Sequence, residues 1–412
     1  MSQPDTKVLS FPETPRKPRR VRDPRIDAFR GLALLMIFVN HMPGVPYEGL
    51  TSRNWGFSDA AEGFFIMSGI AAGLAYSGRF LTPGLFLSGA VPMWRRAWTL
   101  YLAHLLLTLW AIVIFAGGAD LFGDPELMEM HNLPTVFDHP EEAIFGLATL
   151  GHQIGYVNIL PSYCVILLAA PLAIRFGERR PGLVLALSGA VWLVAGAVRL
   201  NFPNYFGGGG WAFNPFAWQF IFVIGLMTGM AARRGEALVP RSPVLMWICG
   251  GFLILSFLWM HIPPVGAMLN RGMWLLGQAG LPSNLVSHDK VFLALPRLAH
   301  ALALAYLLSA LPVVRKACAT DWAAPLRLMG RQGLLVFCAG TLMALTGQVI
   351  LHGLAPQVWP GWVLPPVGLS VLLAIAWLAD RSRNTPAPVP PVSVPGPQQE
   401  HVIGGRESLA KA

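Results

Sequence analysis

Ten apolar runs set the terms for this chain. They lie near residues 27–45, 57–77, 94–116, 159–175, 181–199, 214–232, 243–261, 291–312, 328–352 and 361–379. Each approaches the ~20 residues that carry a helix across a bilayer. Backbone polar groups inside hydrocarbon must bond to one another, so runs of this length and number are expected to fold as membrane helices. Hydrophobic residues make up 54% of the 412 residues and charged ones only 12%, too little charge to cover a soluble surface. The fold class expected is an all-α integral membrane protein, a bundle of about ten transmembrane helices.

Arg and Lys give the bundle a direction. The great majority of the 30 basic residues fall on one side of the ten-span scheme, in the two tails and in alternate loops; the opposite loops hold Arg53, Arg199, Arg271 and Lys290. The positive-inside rule then places both termini in the cytoplasm, and the loops alone give the same orientation. Residues 1–25 read as a disordered basic tail, 26–380 as the transmembrane domain, and 381–412, with "TPAPVPPVSVPGP", as a disordered Pro-rich tail. The apolar stretch 141–157 is short and reads as a re-entrant or surface helix. The +9 net charge is dispersed in small clusters between apolar runs, so it points to no nucleic-acid partner; the lipid bilayer is the partner it implies. The four cysteines show no metal-ligand spacing, and no short His pair predicts a metal site, His131 and His139 of an acidic outer loop included.

The first run, "IDAFRGLALLMIFVNH", carries Asp27, Arg30 and His41. Eleven residues at ~100° each leave Arg30 and His41 only ~20° apart around a helix and ~16 Å apart along it. Asp27 joins the same face. Taken singly, Arg30 reads as a snorkelling or Asp27-paired cation and His41 as an interfacial residue. Their common face favours the bundle interior or a wet cavity, since a lipid-facing row of such groups is costly.

The second run opens with "GFSDAAEGFFIMSG" on the side where His41 sits. Asp59 and Glu62, one turn apart, are candidates to orient the His41 imidazole so that its other nitrogen acts as a base. The competing reading makes them an N-cap and its capping-box partner. In the third run Arg95 and Arg96 are either topogenic charges or, with Arg30 and Asp27, a cytoplasmic site for an anionic donor. His104, further along, reads as a core histidine. Trp55, Trp218 and Gln219 are candidates to bind an acceptor at the outer ends; an aromatic belt is the ordinary alternative for the tryptophans, among them Trp211, Trp359 and Trp362.

These stretches resemble a known family. "RIDAFRGLALLMIFVNH" is similar to the Arg-x10-His signature on the first span of the transmembrane acyltransferase (acyltransferase type 3) superfamily. "EGFFIMSGI" resembles its Phe-Phe-x-x-Ser-Gly block and "RRAWTLY" its basic third-helix block. More narrowly, "GFSDAAEGFFIMSG", "ILPSYCVILLAAP" and "NPFAWQFIFVIG" are similar to OpgC-type proteins, which modify osmoregulated periplasmic glucans with succinyl groups. The resemblance covers most of residues 22–380. It implies a bacterial inner-membrane acyltransferase with acyl-CoA, succinyl-CoA in the narrower resemblance, as co-substrate and no permanently bound cofactor. It further implies a glycan hydroxyl as acceptor, His41 as the catalytic histidine and Arg30 as a donor-binding or structural residue. A transporter or flippase for a glycan or small anion is the rival reading, and it expects broken helices near the membrane middle.

Overall fold

The computed structural model describes residues 23–81, 84–205 and 208–384. The two expected tails therefore lie almost wholly outside the described residues. Fifteen helices follow: α1 (Pro24–Asn40), α2 (Ala60–Tyr76), α3 (Phe86–Phe122), α4 (Pro134–Asp138), α5 (Pro140–Ala148), α6 (Ile159–Gly177), α7 (Pro181–Ala197), α8 (Pro215–Arg234), α9 (Pro243–His261), α10 (Pro263–Gln278), α11 (Leu295–Ala310), α12 (Pro312–Ala319), α13 (Ala324–Arg331), α14 (Gly333–Gly353) and α15 (Trp359–Asn384). Among the described residues the sole β feature is one isolated bridge, Pro203 with Gly210.

Among the described residues, seven helices are long and apolar enough to cross a bilayer: α2, α3, α6, α8, α9, α14 and α15. The chain is therefore a multi-pass helical membrane protein. The remaining three of the ten expected runs are shorter or bent. Helices α1 and α7 have 17 residues each. The run expected over 291–312 breaks by 77° between α11 and α12, because Pro312 holds Leu311 in an extended conformation.

Other boundaries differ for local reasons. Asp23 caps the N–H of Arg25 and Pro24 takes the first position, so α1 starts early. It stops at Asn40, ahead of the expected 45, because Pro43 and Pro46 cannot continue it. His41 is its C-cap and still donates its N–H to Ile37 O at 3.0 Å, so the helical ruler from Arg30 holds. Helix α3 runs for 37 residues and passes through Pro92; Arg95 and Arg96 consequently sit inside it rather than at its opening. The expected outer loop 262–289 contains α10, started by Pro263 and Pro264 where a missing N–H costs no bond. Within 141–157 the helix α5 has only 9 residues and lies far short of a span.

Glycines set the closest approaches. A Cβ at Gly69 or Gly73 of α2 would collide with the carbonyl oxygens of Phe222 and Leu226 on α8, and one at Gly225 or Gly229 with those of Ile66 and Ile70. Two small-xxx-small faces thus bring the backbones of α2 and α8 together. Gly31 and Gly330 do the same between α1 and α13, each lying against the other helix's carbonyls. Phe65, Trp218, Phe222, Met93 and Leu160 fill the core beside these seams.

Candidate functional site

A cavity of ≈ 980 Å³ opens where α1 ends, and its lining includes His41, Asn40, Asp59, His131, Tyr156, Lys290 and Arg297. His41 is carried into it by the last turn of α1. Its Nδ1 is buried and bonds no atom among the described residues, which leaves Nε2 as the nitrogen facing the cavity. The ring packs on Tyr156 at 4.6 Å between centroids. The His41 carbonyl accepts from Gln348 Nε2 of α14 at 2.5 Å.

Asp59 and Glu62 make no hydrogen bond to His41 among the described residues. They form the capping box of α2: the Asp59 carboxylate accepts from Ala61 N at 2.8 Å, and Glu62 Oε2 accepts from Asp59 N at 2.9 Å. Their remaining oxygens face cations from the far end of the sequence. Lys290 Nζ lies 2.5 Å from Asp59 Oδ2, and Arg297 Nη2 lies 3.3 Å from Asp59 Oδ2 and 2.6 Å from Glu62 Oε1. Arg297 Nε also donates to Glu62 Oε1 at 2.8 Å. Glu62 is fully buried. A carboxylate without water needs a cation and donors on both oxygens, and Arg297 together with the helix N-terminus supplies them. Lys290 is tied a second time, its carbonyl accepting from Trp218 Nε1 at 3.0 Å. Arg297 was not among the expected site residues. Its signal is a lone arginine three residues into an apolar helix, "LPRLAH", the position where an intramembrane cation calls for a partner.

The residues expected to bind a donor lie away from this cavity. Arg30 Nη1 is 3.5 Å from Gly330 O and 4.0 Å from Asp27 Oδ1; Asp27 is buried, Arg96 half-buried and Arg95 exposed. Between the two ends runs a crevice of α1 and α14, lined by Leu34, Ile37, Phe38, Phe337 and Thr341, with no room for a water molecule. Ile37 and Phe337 line both crevice and cavity.

The expected acceptor residues are not in the cavity wall. Trp218 is wholly buried against Phe65 and Phe213. Gln219 bonds Ser188 of α7 with both its oxygen and its nitrogen. Trp55 is exposed and stacks on Phe257 at 6.0 Å. The wall instead offers the cations Arg53, Lys290 and Arg297 beside Phe57, Tyr156, Phe213 and Trp259. His104 is fully buried. Burial lowers the His288 imidazole below the ordinary histidine value, and the neighbouring Arg297 charge lowers it further. Of the two loop histidines, His139 pairs with Glu142 at 3.2 Å, and His131 enters the cavity. Asp124, Glu126 and His352 also meet, with Nε2 of His352 2.9 Å from Asp124 Oδ2.

A multi-pass helical bundle with a polar cavity, one histidine at the end of its first helix and an arginine near that helix's start defines the class. The family model described as OpgC protein matches residues 22–384, and the chain belongs to that family. No curated protein matches it. The family implies a transferase of the acyltransferase kind in a membrane setting.

Proposed function

We propose that the protein is an O-acyltransferase of the bacterial inner membrane, with about ten spans and both termini cytoplasmic. It moves an acyl group, succinyl by family, from cytoplasmic acyl-CoA to a hydroxyl of a periplasmic glucan. The observation that carries this reading is His41 Nε2 facing a cavity of ≈ 980 Å³, on the same helix face as Arg30 ~16 Å away. That separation suits an extended pantetheine arm, with Arg30, Arg95 and Arg96 near the CoA phosphates and Asp27 holding Arg30. The α1–α14 crevice is the direct route between the two ends.

His41 acts as general base. As the acceptor oxygen attacks the thioester carbonyl carbon, Nε2 takes the hydroxyl proton; collapse of the tetrahedral intermediate breaks the C–S bond, and the proton passes to the leaving thiolate. The products are the glucan ester and free CoA thiol. Such proton transfer contributes ~10²–10⁴-fold. Arg53, Lys290 and Arg297 suit an acyl group that itself carries a carboxylate. Asp59 and Glu62 keep Arg297 and Lys290 in place, and so act on the site through those cations.

Transport is less well supported. It expects helices broken near the membrane middle, whereas the α11–α12 break falls at Leu311, after all 16 residues of α11. The deciding measurement is transfer of radiolabelled acyl groups from acyl-CoA to glucan by the purified chain. Label should reach the glucan with wild type and not with His41→Ala. Full transfer by folded His41→Ala would end the mechanism, and no uptake from any acyl-CoA by wild type would end the enzyme reading.

A further inference from the structure

Three imidazoles line the cavity, those of His288, His41 and His131, and the last two share a neighbour. Gln348 lies between them. Its amide nitrogen donates to the His41 carbonyl at 2.5 Å, so its oxygen is the acceptor that meets His131 Nε2 at 2.6 Å. Only a protonated Nε2 can donate to that oxygen. A neutral His131 therefore keeps its lone pair on Nδ1, and burial favours the neutral form, outweighing the bond to Gln348 that acts in the other direction.

Nδ1 of His131 bonds no protein atom among the described residues. It faces Gly155, where a Cβ would stand 2.7 Å away, and both residues line the cavity. The ring is held edge-on to Phe115 at 5.0 Å and to Tyr156 at 5.1 Å. Its backbone sits at φ 58°, a left-handed conformation uncommon for a residue with a side chain, and its carbonyl accepts from Gly155 N at 3.3 Å. Strained positions of this kind persist where the surroundings over-determine them. His41 packs on the same Tyr156 ring, so one sugar residue is wide enough to touch both imidazoles.

We propose that His131 binds the acceptor: with Nε2–H held by Gln348, its Nδ1 accepts a hydrogen bond from a hydroxyl of a polyhydroxylated substrate, next to the hydroxyl that His41 deprotonates. This rests on the acyltransferase reading and adds to it the residue that selects which hydroxyl reacts. Gly155 belongs to the same subsite, since a hydrogen there leaves the approach to Nδ1 open.

The test uses the purified full-length protein with acyl-CoA and glucan, each titrated separately. Loss of one neutral hydrogen bond is worth ~10-fold. His131→Ala should raise the glucan KM by about that factor and leave the acyl-CoA KM unchanged. His131→Asn, whose amide oxygen stands near the Nδ1 position, should recover part of the loss. Gly155→Ala, with His131 intact, should raise the glucan KM in the same way. An unchanged glucan KM in His131→Ala and Gly155→Ala would overturn the proposal. So would a fall in kcat alone that His131→Asn does not relieve, the mark of a purely structural role. If His131→Ala does not fold, His131→Asn and Gly155→Ala decide the matter by the same criterion. Glucan binding by calorimetry, without donor, separates this failure from failure of the acyltransferase reading: weakened binding in Gly155→Ala supports the subsite even where no acyl group moves, and unaltered binding removes it.

Discussion

The two ends of α1 are built on opposite plans. At its start, Asp27 and Arg30 are closed over by α13, whose Gly330 packs against the helix backbone and whose carbonyl lies 3.5 Å from Arg30 Nη1. At its finish, His41 faces open space with one ring nitrogen buried and unbonded. The start is packed protein; the finish is a prepared site. One helix therefore joins a region closed by packing to a region open to a cavity, and on the proposed function the first would have to part to admit a large anion while the second would not have to move to admit a sugar.

The largest effect belongs to the open end. His41→Ala should cost ~10²–10⁴-fold in transfer rate with little change in thermal stability; a loss of folding instead would make His41 a packing residue. Arg297→Met should come next, destabilising the protein by about 3–5 kcal/mol because the buried Glu62 carboxylate loses its cation. Denaturant titration of Arg297→Met against Arg297→Met/Glu62→Gln checks this, since removing both charges should restore most of the loss. At the closed end, Arg30→Ala should raise the acyl-CoA KM by roughly 10-fold and leave the glucan KM alone, the converse of the His131 pattern. The smallest effect is a matter of pH. His131 titrates below its ordinary 6.5, so between the two values the unfolded chain binds the extra proton. Its contribution to stability is complete above about 6.5 and declines as pH falls toward the folded value. Melting curves of wild type and His131→Asn should therefore converge as pH drops below 6.

The first helix was legible because its chemistry is local. Asp27, Arg30 and His41 lie within one run, and helical geometry alone puts them on one face. The capping box of Asp59 and Glu62 was legible for the same reason, and it competed with the reading that they orient His41, to which they make no hydrogen bond among the described residues. Arg297 and Gln348 were not legible, because they meet Glu62 and His41 across 235 and 307 positions of sequence. Hydrophobic pattern gives no sign of such pairing in a bundle where every long helix is apolar. The bend at Leu311 and the long α3 fell outside the pattern too: one proline ended a run while another, Pro92, was absorbed by the helix around it.

Lys290 is anchored at both side chain and main chain, to Asp59 and to Trp218. That segment of the cavity rim loses its conformational freedom when the protein folds, before any ligand arrives. On the proposed function, a sugar meeting it would bear no entropic cost of ordering a loop, and its binding should show rates set by diffusion and desolvation rather than by the closing of a lid.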